Sequence, residues 1–95
     1  MKQVNYIQNC DELEILFKEV EVPEVIKLDS GISLEFDNKQ LSAIILPNFF
    51  QMLHRQPTGQ EEIKLVDWNT DTLQLNIDGQ IVNVKLGLKE ADFNK

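Results

Sequence analysis

Hydrophobic residues in the first quarter of the chain recur at intervals of three and four positions, with charged residues between them. The residues of this helical stripe are Leu13, Leu16, Phe17 and Val20. Asn9 is a residue type that caps helices, and Glu12 three positions later completes a capping box. Because Pro23 would stop it, the pattern predicts an N-terminal helix over residues 10–21, although the alternation in EVEVPEV (19–25) would also suit a strand.

After Pro23 the hydrophobic period falls to two, which is typical of strands with one buried face. The predicted strands are 25–28, 32–37, 41–46, 63–68, 73–77 and 82–88. Segment 41–46 (LSAIIL) is apolar on both faces, so something must cover its second face. Asp78-Gly79 is the strongest hairpin signal, because a type I′ turn needs positive φ at both central positions. The tail, 89–95, is expected to fray.

The segment LPNFFQMLHRQPTG (46–59) predicts a short helix around 48–55. Pro47 suits a first helical turn and Asn48 a cap. The apolar face of this helix comprises Phe49, Phe50, Met52 and Leu53. We interpret the segment as the missing cover of 41–46. The alternative is an exposed docking patch rimmed by His54, Arg55 and Gln56.

Together these elements predict an α+β fold with an N-terminal helix and an antiparallel sheet. The sheet would be a meander or a small partly open barrel of five to six strands, with the short helix around 48–55. A chain of 95 residues, 42% hydrophobic and 26% charged, fits one small globular domain over 1–95.

The residues that carry chemistry are few and scattered. One cysteine excludes an internal disulfide, and the only histidine, His54, has no visible coordination or catalytic partner. Asp67-Trp68-Asn69-Thr70-Asp71 resembles the start of an EF-hand loop, but Thr72 replaces the required glycine and Asp78 the bidentate glutamate. An Asx-type turn explains it better. We therefore predict no catalytic residue, metal site or cofactor.

Charge is the strongest global feature of the sequence. The net charge is −7, and residues 1–37 hold nine acids against three lysines, whereas the remainder holds seven acids against six bases. Such a chain repels nucleic acid and anionic membranes. The candidate partner-binding residues are Asp11, Glu14, Glu19 and Glu21, which would face a protein with a basic surface. A solvated face that only keeps the domain soluble is the alternative.

These observations favour a small acidic, non-enzymatic protein-interaction or regulatory domain. The first alternative is a nucleic-acid-mimicking inhibitor or antitoxin-like protein that occupies a basic groove. A more distant alternative is a small ligand-binding domain or enzyme that uses His54. The polar first ten residues and the lack of a long apolar run lead us to expect a cytoplasmic protein without a membrane partner.

Overall fold

The computed structural model describes residues 3–69 and 71–87, and strands dominate it. Strands account for 52% of the structure and helical residues for 8%. The chain forms two compact units, Met1–Gly59 and Gln60–Lys95. The elements of the first unit are β1 (Gln3–Ile7), β2 (Glu12–Leu16), β3 (Glu24–Lys27), β4 (Ser33–Asp37), β5 (Gln40–Leu46) and the helix α1 (Phe49–Met52). Those of the second are β6 (Ile63–Trp68), β7 (Thr72–Ile77) and β8 (Gln80–Lys85).

The first unit contains one antiparallel sheet with the strand order β1-β2-β5-β4-β3. Its inner face, as we call it, carries the alternating buried residues Leu13, Ile15, Leu34, Phe36, Ile44 and Leu46. The opposite, outer face carries the residues between them. Because β2 pairs with β5, the connection 17–23 has to pass two strands before the chain enters β3. That connection forms part of the candidate site.

The predicted N-terminal helix over 10–21 is wrong, because Glu12–Leu16 forms strand β2. Leu13 and Ile15 are both fully buried, so the period of two in ELEIL decides the structure. Asp11 has a positive φ of 51°, which is incompatible with the first turn of a right-handed helix. Asn9 lies in a 3₁₀ turn (Gln8–Cys10), and therefore caps no α-helix.

The α+β fold class is therefore also wrong, because residues 3–69 and 71–87 are mostly antiparallel β with one short α-helix. Instead of the expected five to six strands, the described part of the chain contains eight strands in two sheets. The two strands that were not predicted are β2, which was expected to be helical, and β1, which pairs with β2 from Gln3↔Leu16 to Ile7↔Glu12. The notable omission is β1. Its pattern is weak in the sequence because only Val4 and Tyr6 alternate with polar neighbours.

The strand predictions after Pro23 are confirmed, with boundaries that shift by two residues at most, except that the last strand, predicted over 82–88, already ends at Lys85. Position 88 of the last predicted strand and the tail, 89–95, lie outside the described residues. Asp78 and Gly79 have φ values of 53° and 90° between the paired residues Ile77 and Gln80, which confirms the predicted two-residue hairpin turn. Asn38 and Lys39 turn β4 into β5 in the same way, with φ values of 52° and 69°.

The described residues of the second unit form a three-stranded antiparallel sheet with the order β6-β7-β8. Leu73, Leu75 and Ile77 alternate along β7 and are buried. A bulge between Leu65 and Asp67 interrupts the pairing of β6 with β7. The prediction of a single domain over 1–95 stays a prediction.

Candidate functional site

The short helix α1 begins on a cap that is distant in sequence. The carboxylate of Asp11 accepts hydrogen bonds from the amides of Phe50 (2.9 Å) and Gln51 (3.0 Å), and its backbone carbonyl accepts one from Phe49 (2.9 Å). Asn48, the cap expected from the sequence, has a φ of 52° and makes no side-chain capping bond. The free amides of the first helical turn are thus satisfied from the β1–β2 connection.

Asp11 also accepts a hydrogen bond from the hydroxyl of Tyr6 at 2.6 Å. Burial alone would raise the pKa of Asp11, but the hydrogen bonds from Tyr6, Phe50 and Gln51 outweigh it and lower the pKa. The ionised carboxylate is therefore engaged inside its own unit. This predicted partner-binding residue serves as a structural cap.

The end of α1 explains the backbone of His54. The amide of His54 donates to the carbonyl of Gln51 (3.1 Å), and the amide of Arg55 donates to that of Phe50 (3.0 Å). This is a Schellman arrangement, in which the residue after the C-cap adopts the left-handed conformation. His54 occupies that position with a φ of 57°. The helix is shorter than the predicted 48–55 because this motif ends it.

The core interpretation of 46–59 is confirmed for Phe49 and Phe50, which are fully buried. Their rings meet edge to face at 5.1 Å, and Tyr6 packs against Phe50 at 4.9 Å. Met52, by contrast, is 46% exposed. The expected cover of 41–46 by this helix stays a prediction.

A cleft of about 490 Å³ lies beside this helix, lined in part by Asp11, His54 and Arg55. The Arg55 guanidinium lies 5.8 Å from the centre of the Phe50 ring, and His54 is exposed. Carboxylate and guanidinium line the same cleft, so its charge selects neither an anion nor a cation. We therefore place the candidate site elsewhere.

The acidic cleft, as we call it, is a depression of about 550 Å³ in the first unit. Its lining residues are Leu16, Lys18, Glu19, Val20, Glu21 and Glu35. Leu16 and Val20 are half-buried and apolar, whereas the three glutamates contribute carboxylates from the connection 17–23 and from β4. Lys18 is the only base among them, and it forms a salt bridge with Asp37.

Backbone hydrogen bonds hold the connection that builds this cleft. The amides of Phe17 (2.8 Å) and Lys18 (3.2 Å) both donate to the carbonyl of Ser42 on β5. With the Lys18–Asp37 salt bridge, they attach the first part of the connection to β5 and β4. Glu19 and Glu21 therefore follow directly after a segment that is bonded to the sheet.

The cross-strand register places Leu16 and Glu35 on the outer face, in one row with Ala43 and Val25. Glu14 lies two residues before Leu16 on the same face and pairs with Ile45. The structure thus brings predicted Glu19 and Glu21 together in the cleft and places Glu14 on the adjoining sheet face. Asp11 is not part of this group.

Sequence reasoning missed Glu35, Leu16 and Val20 as members of the site. Glu35 could have been found, because it alternates with buried Leu34 and Phe36 and so must point to the other face. Leu16 and Val20 fit the inward stripe of a helix that does not form. Because the segment was predicted as a helix, these two residues were assigned to the buried side of that helix and not to the cleft.

The turn between β6 and β7 fits the Asx interpretation. Asn69 Oδ1 accepts hydrogen bonds from the amides of Asp71 (2.7 Å) and Thr72 (2.8 Å), and Asp67 Oδ1 accepts one from the amide of Trp68 (2.9 Å). Position 70 of the EF-hand-like stretch lies outside the described residues. Across 3–69 and 71–87, no group of three or more His, Cys, Asp or Glu residues is placed to hold a metal ion.

Among residues 3–69 and 71–87, no helix has the length and apolar character needed to cross a membrane. Comparison of the chain with protein-family models, with curated proteins and with solved structures produced no match.

Proposed function

We propose that this chain is a small acidic interaction domain whose acidic cleft binds a basic segment of another protein. The observation that carries the proposal is that one cleft is lined both by three glutamates, Glu19, Glu21 and Glu35, and by the apolar residues Leu16 and Val20. A lysine or arginine side chain has an aliphatic stem and a charged end. Such a side chain would pack its stem on the apolar floor and place its charge among the carboxylates.

The charge balance around the cleft supports a basic partner. Lys18 lines the cleft, but it forms a salt bridge with Asp37. Its positive charge therefore neutralises Asp37 and not the three glutamates of the cleft. The net charge of −7 adds a long-range field that attracts basic proteins and accelerates their association. The domain would act by occupying the basic segment of its partner, without catalysing a reaction.

The test uses a defined probe, a short peptide in which lysine and threonine alternate, and a control peptide in which glutamate replaces lysine. We expect only the lysine peptide to bind, with an affinity that falls as salt is raised. The triple variant Glu19→Gln, Glu21→Gln, Glu35→Gln should weaken this binding by about tenfold or more and flatten its salt dependence, measured by titration calorimetry at several salt concentrations.

The matched control removes the same number of charges elsewhere on the chain. The variant Glu62→Gln, Asp67→Asn, Asp71→Asn changes exposed acids of the second unit that do not line the cleft, and it also reduces the net charge from −7 to −4. Equal weakening by both variants would show that only the overall charge matters. Unchanged binding by the cleft variant would refute the proposed function.

A further inference from the structure

Strand β3 forms one edge of the five-stranded sheet, and its neighbour on the other side is β4. The pairing of β3 with β4 is regular from Glu24↔Phe36 to Lys27↔Ser33, without a bulge. Edge strands expose backbone groups that can pair with another chain unless a bulge, a proline or a covering element prevents it. The backbone N–H and C=O groups of β3 that point away from β4 are the ones available for such pairing.

The hydrogen bonding at the end of the β3–β4 hairpin determines which backbone groups of β3 face outward. The amide of Leu28 donates to the carbonyl of Ile32 at 2.8 Å, which continues the register of β3 and β4. Because backbone groups alternate sides along an antiparallel strand, Glu24 and Ile26 also face β4. Val25 and Lys27 therefore direct their N–H and C=O groups away from β4, toward the edge of the sheet, where none of the described strands pairs with them.

Exposed apolar side chains lie at the same edge. Val25 is 55% exposed and belongs to the outer-face row that contains Glu35. Val22, just before Pro23, is 88% exposed. An added strand would thus find outward backbone groups, an exposed valine and the glutamate of the acidic cleft on one side of the sheet.

The net charge of the segment around β3 indicates which kind of chain would pair with this edge. Residues 19–29 contain Glu19, Glu21, Glu24 and Asp29 against Lys27, a net charge of 1 − 4 = −3. A second copy of the chain paired on β3 would bring two such segments together, and their repulsion opposes that dimer. A basic segment would be attracted instead.

We propose that an extended basic segment binds by strand addition to β3, pairing its backbone with Val25 and Lys27. Its alternate side chains lie on the outer face, from which lysine or arginine reaches toward Glu35 and the acidic cleft. This inference rests on the proposed function and adds the mode of binding. Pro23, which has no N–H, limits the paired length on one side, so the contact is short.

The first experiment follows amide hydrogen exchange by NMR in the wild-type chain, with and without the alternating lysine–threonine peptide at saturation. We expect the amides of Val25 and Lys27 to slow by about tenfold or more, because they gain partners on binding. The amides of Glu24 and Ile26 already face β4 and should change much less. No variant is needed for this comparison.

The second experiment uses Val25→Pro, which removes an outward N–H that the β3–β4 ladder does not use. We expect it to weaken peptide binding by about tenfold, whereas Val25→Thr, which keeps the N–H, should bind like wild type. The peaks of β4 and β5 residues in the NMR spectrum report whether the sheet is intact in each variant. If Val25→Pro disrupts the sheet, the exchange experiment on wild type decides alone.

The two proposals fail in different ways. Binding that depends on Glu19, Glu21 and Glu35, without protection of the Val25 and Lys27 amides, would overturn strand addition and leave the acidic cleft as the binding site. Protection that is equal with the glutamate control peptide would overturn the basic specificity of the edge. Absence of binding by the lysine peptide at every salt concentration would overturn both.

Discussion

At the scale of single residues, Asp11 shows how one side chain can have a different role from the one its charge suggests. Its acidity and its place in the sequence group it with Glu14, Glu19 and Glu21. In the structure its carboxylate accepts three hydrogen bonds, from Tyr6, Phe50 and Gln51. A carboxylate so engaged stabilises the fold and has little capacity left for a partner.

Removal of this cap should destabilise the protein. We expect Asp11→Ala to reduce the free energy of unfolding by about 1–2 kcal/mol at neutral pH, measured by urea denaturation. Asn48→Gly is the matched control, because Asn48 makes no capping bond and already has a positive φ that glycine adopts freely. Asn48→Gly should therefore stay within a few tenths of a kcal/mol, roughly, of wild type. The reverse order of the two variants would contradict the assignment of the cap.

The same residue predicts a pH dependence. The pKa of Asp11 lies below its ordinary 3.8 in the folded chain, so the unfolded chain binds this proton more readily. The stabilisation is complete above the ordinary pKa and is lost as the pH falls through the lowered folded pKa. The stability difference between wild type and Asp11→Asn should therefore be constant near neutral pH and shrink in acid. A difference that is independent of pH down to the acid transition would argue against an ionised cap.

At the scale of elements, the helix α1 has only four residues, and its stability comes from burial and from its two ends. A helix this short does not form in isolation, because nucleation is unfavourable. Asp11 at its start and the Schellman bonds at its end satisfy its backbone groups, while Phe49 and Phe50 are fully buried. The position of the element depends on these two side chains.

Two substitutions within α1 compare the loss of a buried side chain with the loss of an exposed one. We expect Phe49→Ala to destabilise by about 3–5 kcal/mol, as large-to-small changes in cores do. Met52 in the same helix is 46% exposed, so Met52→Ala should cost far less, about 1 kcal/mol or below. Thermal melts of both variants beside wild type provide the measurement. Similar melting temperatures for the two variants would mean that Phe49 is a surface residue.

At the scale of the whole molecule, the question is whether the two compact units unfold together. The second unit spans only Gln60–Lys95, and a three-stranded sheet of that size has little capacity to build a core of its own. This size argument agrees with the prediction, made from chain length and composition, of a single domain over 1–95. The chain offers a natural probe in each unit, because Tyr6 is its only tyrosine and Trp68 its only tryptophan.

We expect one cooperative transition in urea, with the same midpoint for Trp68 fluorescence and for the near-ultraviolet signal of Tyr6. As a control, Trp68→Phe removes the contribution of tryptophan to the ultraviolet signal, so that Tyr6 reports on the first unit alone. Coincident midpoints would support one domain. Separate midpoints would show that Met1–Gly59 and Gln60–Lys95 are independent domains.

The sequence by itself determined the strands after Pro23 and the turn at Asp78-Gly79, because these depend on local alternation and on residues that adopt positive φ. It also determined the acidic character that motivates the proposed partner. It was ambiguous over 10–21, where Leu13 and Leu16 fit a helical stripe while Leu13 and Ile15 fit a strand. Local spacing alone could not decide between these two periods.

Only the tertiary structure resolved that ambiguity, because β2 is held between β1 and β5, and pairing partners distant in sequence override local helix propensity. The same is true of the sites. Asp11 caps a helix that begins 38 positions later (49 − 11), and Glu35 joins Glu19 and Glu21 across the sheet. The alternation of Glu35 with buried Leu34 and Phe36 indicates the face on which it lies, but not its neighbours there. Both arrangements arise from the order in which the strands pair. The physical reason is that a sheet brings residues together by register, and the register is a property of the folded chain.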